Sequence, residues 1–111
     1  MTARYARRLP ACAHVEIGTN LQNTREYLIH LASELSHVYP KTSPQVRAAN
    51  QALRAVDQLR NALDNASADE LPGDGWAPTI YYGANDDVRQ VDLARVMEVH
   101  WAGNPSCCRP G

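Results

Sequence analysis

Apolar residues recur at helical spacing along most of the chain and sort into two long stripes. Ile17, Leu21, Leu28, Leu31, Leu35 and Val38 fall within about 100° of one another on a helical wheel, the buried face of an amphipathic helix. Gly18-Thr19-Asn20 opens this segment, and the side chain of Thr19 or Asn20 can accept a helix N–H as a cap. Pro40 disfavours helical geometry at Tyr39, so a helix is expected over about 19–39. The second stripe is Val46, Ala49, Leu53, Val56, Leu59 and Leu63. Ser43-Pro44 starts it, with a hydroxyl cap followed by a proline that has no N–H to leave unsatisfied, and a helix is expected over about 44–66. Ala48, Ala52, Ala55 and Ala62 favour helix and permit close approach of a neighbour; this flank is expected to stay partly uncovered. A link as short as 40–43 makes the two helices antiparallel.

The C-terminal third has a weaker pattern. Ser67-Ala68-Asp69-Glu70 fits a capping box, and Pro72-Gly73-Asp74-Gly75 reads as loop. Trp76, Ile80, Tyr81 and Tyr82 suggest an anchored segment, of which 79–82 could form a short strand. Gly83 to Asp87 supplies a turn and a cap for a third helix over about 87–100. Leu93, Val96, Met97 and His100 share a helical face there, although Val91, Leu93, Met97, Val99 and Trp101 alternate as a strand would; the acidic start and Ala94 favour helix. Residues 1–16 read as a flexible basic tail and 103–111 as a disordered one. The expected fold is therefore mainly α: an antiparallel two-helix hairpin with a third C-terminal helix as its lid, in a single domain over 17–102.

Composition limits the core. Of 111 residues 16 are alanine, and Leu, Ile and Val together number only 21, so the core is thin and self-association is expected. The net charge of −1 argues against disorder. Charge is uneven along the chain: residues 1–66 carry eight basic and five acidic side chains (+3), and residues 67–111 carry three and seven (−4). The two halves can attract each other or a second copy. Arg4, Arg7 and Arg8 precede no hydrophobic run of the kind an export signal needs. Three cysteines, two of them adjacent, do not form a disulfide framework; they suggest reduced thiols and a cytoplasmic protein.

Four sets of residues carry candidate chemistry. Glu26, His30, Glu34 and His37, spaced by four, four and three, line one side of the first helix. Glu34-Leu35-Ser36-His37 fits the Glu-x-x-His element of carboxylate-bridged metal bundles, but this face lies opposite the apolar stripe, whereas bundle metals sit in the core. A solvated face, or a partner contact made pH-sensitive by its histidines, fits better. Cys12, His14, Cys107 and Cys108 could offer zinc ligands, but adjacent cysteines rarely chelate one ion. Arg47, Arg54 and Arg60 with neighbouring Asn and Gln could contact nucleic acid, against which the pI near 6.4 argues. Asp86, Asp87, Asp92, Glu98 and His100 could hold a magnesium ion, although the first two suit a helix cap.

No phosphate-binding glycine loop, nucleophile elbow, His-Glu-x-x-His or Cys-x-x-Cys occurs in the chain. The expectation is a non-catalytic, self-associating interaction module with no cofactor, using Glu26, His30, Glu34, His37, Arg47 and Arg54 as contact residues. A nucleic-acid-associated regulator and a metal-binding protein are the alternatives.

Overall fold

The hairpin that the two stripes predict is present, and both of its helices are longer than expected. A computed structural model describes residues 8–82 and 86–104. The chain is mainly α, with α1 at Ala11–Val38, α2 at Pro44–Glu70 and α3 at Asp86–Gly103. Two 3-10 turns, Gly73–Gly75 and Pro78–Ile80, join α2 to α3, and no strand occurs among the described residues. The link between α1 and α2 is as predicted: the Ser43 hydroxyl accepts from the Val46 N–H, and Pro44 is the first helical residue.

The first helix begins eight residues earlier than the sequence pattern suggests, inside the segment expected to be a tail. Pro10 precedes it in extended geometry, and its carbonyl accepts from the Ala13 and His14 N–H groups. These first turns are ordered by long-range contacts. Leu9 N–H donates to Glu70 Oε1 at 2.8 Å, and Ala11, Ala13, His14 and Gly18 are all buried. Gly18 does not start the helix. It sits within α1, where the backbone of Ile80 passes so close that a Cβ would lie 2.1 Å from its carbonyl oxygen.

The core lies at this base. Ala11, Ala77, Ile80, Tyr81, Leu93 and Val96 form its buried cluster, with Leu21, Leu63 and Trp76 packed against it. The segment 79–82 is a 3-10 turn rather than a strand, because its polar groups are engaged locally and by α3. Ile80 N–H bonds to Ala77 O, Thr79 Oγ1 donates to Asp92, and Arg89 Nε donates to Thr79 O. Ser67 is likewise not a capping residue. It is fully buried in the last turns of α2, where its hydroxyl donates to Asp64 O and accepts from Trp76 Nε1.

Because α3 packs against the 3-10 turns and α1, it lids only the base. Beyond it the hairpin projects as a two-helix arm, α1 alone being about 42 Å long at 1.5 Å per residue, and the molecule measures 53 × 36 × 28 Å. Along the arm only Ala32, Val46 and Ala49 are buried, while Leu28, Leu31, Leu35, Leu53 and Val56 are half-buried. No helix among the described residues is long and apolar enough to cross a membrane.

Candidate interaction surface

A helix in a two-helix arm has one neighbour, so its stripe is covered on one side and open on the other. Arg25 and Asp57, bonded at 2.7 Å, fix how α1 and α2 face each other. At 100° per residue, Tyr27, Leu31, Leu35 and Val38 then lie on the α1 flank turned away from Arg25. Val56, Leu59 and Leu63 occupy the matching flank of α2, with Ala48 and Ala52. Antiparallel pairing puts these two flanks on the same side of the hairpin. Tyr27 is 65% exposed, Val38 73% and Leu59 49%, and Ala48 and Ala52 are exposed as well. Between Ile17 and Val38 the charged residue nearest this flank is Glu34, at its outer rim about 20° from Tyr27 on the helical wheel, and between Gln45 and Ala66 no charged residue falls within it. The alanine-rich flank is thus uncovered as expected, and large apolar side chains from both helices extend it.

The opposite flank is polar. Arg25 Nε pairs with Asp57, and Arg60 Nη2 lies 3.6 Å from the same carboxylate. Glu26, His30, Glu34, His37, Arg47 and Arg54 are all exposed. No ion pair links the first four among the described residues; His37 Nδ1 instead donates to Ser33 O at 2.7 Å within α1. The structure therefore leaves these six residues as separate solvated side chains. Among the described residues no three His, Cys, Asp or Glu side chains are grouped closely enough to hold a metal ion.

Two of the proposed zinc ligands have other roles. Cys12 is disulfide-bonded, and Cys107 and Cys108 lie outside the described residues. The expectation of reduced thiols is corrected at Cys12, and with it goes the support it gave to a cytoplasmic location. Spacing along a chain does not say which sulfurs meet in space. His14 is fully buried, with Nδ1 2.6 Å from the Tyr81 hydroxyl and Nε2 3.3 Å from Glu70 Oε1. In the neutral tautomer that satisfies both contacts, Nε2–H donates to Glu70 and Nδ1 accepts from Tyr81.

This acid–imidazole–hydroxyl chain has the order of a nucleophilic triad, but its hydroxyl is unsuited to attack. Tyr81 is fully buried, and burial together with the charges of Glu70 and Asp64 pushes its pKa up to about 12. A phenol held protonated and sealed from solvent is a hydrogen-bond donor, and here it clamps the start of α1 to the base. Asp64, beside it, is also raised by burial. Of the magnesium candidates, Asp92 accepts from Thr79, Glu98 is exposed, and the side chains of Asp86 and Asp87 lie outside the description. The chain matches no family model, no curated protein and no solved structure.

Proposed function

We propose that the chain is a non-catalytic helical interaction module that associates with a second copy through the apolar flank of the α1–α2 arm. The observation that carries this reading is the open face of Tyr27, Leu31, Val38 and Leu59, which extends beyond the reach of α3. Contiguous exposed apolar surface of this kind marks association sites. A second copy suits it for two reasons. Apart from Glu34 at its rim the flank holds no charge, so two copies bring few like charges together, and its exposed alanines let helices approach closely. A two-fold contact between such arms gives a four-helix bundle, the arrangement in which a helix with a half-covered stripe completes its burial.

Sedimentation velocity over a concentration series tests the reading. The native chain should dimerise, and Tyr27→Glu or Leu59→Glu should give monomers with unchanged far-UV circular dichroism. Arg47→Glu, on the opposite flank, should leave the dimer intact. A native chain that stays monomeric at every concentration would overturn the reading. Loss of the dimer in Arg47→Glu alone would move the contact to the polar flank. Association with nucleic acid is the second reading; it rests on the exposed Arg47 and Arg54 and requires steep loss of binding with salt.

A further inference from the structure

We propose that the cleft where α1, α2 and α3 converge binds a small polyanion, a phosphate ester or a di- or tricarboxylate, through Gln22, Arg25 and Arg60. The cleft has a volume of about 520 Å³, with Gln22 and Arg25 contributed by α1, Arg60 by α2, and Arg89 and Gln90 by α3. That volume falls within the range of small-molecule sites.

Unsatisfied donors point to the ligand class. Four buried side-chain polar atoms lack a hydrogen-bond partner among the described residues. Two of them, Gln22 Nε2 and Arg60 Nε, are N–H donors of residues lining this cleft. A buried donor without an acceptor is destabilising; both atoms lie closed in the wall of the cleft, and a group that only accepts would pair with them once the two side chains turn toward it. Carboxylate and phosphate oxygens are such groups, and they bind guanidinium more strongly than neutral acceptors do.

Charge agrees with the donors. Arg25 and Arg60 share one carboxylate, Asp57: Arg25 uses its Nε, and Arg60 approaches with Nη2 at 3.6 Å. Among the described residues Arg25, Arg60 and Arg89 stand against Asp57 and Glu26 here, a net charge of +1. The Arg60 guanidinium is also held in place, stacked 4.2 Å above the Tyr82 ring, and its side chain is only 15% exposed. Arg89 fixes the α3 wall by donating Nε to Thr79 O and Nη2 to Thr19 Oγ1 and Ile80 O. Among the described residues of the lining Ile29 is the only apolar one, so the cleft favours a polar anion over a hydrophobic one.

Isothermal titration calorimetry of the full chain tests the proposal, with inorganic phosphate and citrate as probes against sodium chloride at matched ionic strength. At least one probe should bind with a Kd of about 1 mM or tighter, and which one binds identifies the source of the oxygens. Gln22→Leu and Arg25→Gln should each weaken that binding about tenfold. Gln22→Leu removes an unsatisfied donor, so it tests the site without endangering the fold. Neither variant should change the oligomeric state, because the cleft and the apolar flank lie on opposite sides of the hairpin. Two results would overturn the proposal: no heat above the chloride control from either probe, or binding that both variants leave unchanged.

Discussion

Single residues at the base decide where α1 begins and how it is held. Gly18 is unfavourable by helix propensity, since alanine in a helix interior is better by about 1 kcal/mol. Its position is set instead by the Ile80 carbonyl, which a Cβ would meet at 2.1 Å. Overpacking of this kind costs about 1–3 kcal/mol, and a backbone oxygen cannot rotate away as a side chain can. Gly18→Ala should therefore lower stability in urea denaturation, by up to about 2 kcal/mol after the propensity gain; a stabilised variant would show that the contact is loose. Tyr81 acts through its hydroxyl. Tyr81→Phe leaves His14 Nδ1 buried without a partner and should cost about 1–3 kcal/mol at neutral pH. The pH dependence has a definite sign. The folded state holds the phenolic proton up to about 12, whereas the unfolded chain loses it near 10.0. The native protein should therefore lose stability as pH rises between those values, a component that alkaline denaturation of Tyr81→Phe should lack.

Elements built on large aliphatic residues were legible in the sequence, and those built on small or polar ones were not. The hairpin followed from Leu and Val at helical spacing around Ser43-Pro44. By contrast, the first two turns of α1 pack with Ala11, Ala13, His14 and Gly18, which carry no hydrophobic period. Thr79 to Tyr82 could read as a short strand because it is aromatic and β-branched. Pro78 starts a 3-10 turn there, and α3 takes up the polar groups of Thr79. The ambiguity of α3 resolves through exposure: Val91 is 69% exposed while Leu93 and Val96 are buried, a three-residue spacing that alternation cannot give. The cleft was the least legible feature. Arg25 and Asp57 are 32 residues apart, and only the antiparallel register of the hairpin brings them together. The polar sets that spacing did single out, from Glu26 to His37 and Arg47 with Arg54, are local to one helix, and the fold leaves them in solvent.

The molecule divides into a base that carries its core and an arm whose exposed flank is apolar. These parts rely on different interactions. At the base a thin core is reinforced by the Glu70–His14–Tyr81 chain, the Arg89 bonds and the Cys12 disulfide. The arm depends on pairing between α1 and α2, and a second copy would add to it. Removing the disulfide should therefore act unevenly. Cys12→Ser, or reduction of the native chain, should lower global stability by about 2–4 kcal/mol, the usual contribution of such a bond. Local opening should follow the same division. By hydrogen exchange, amides of the first turns of α1 and of α3 should lose most protection, while those around Ala32 and Ala49 should lose least. Association through the Tyr27–Leu59 flank should persist in the reduced protein wherever the arm stays helical. Equal loss of protection along the whole hairpin would mean that base and arm unfold as one unit; the disulfide would then stabilise the association face as well as the core.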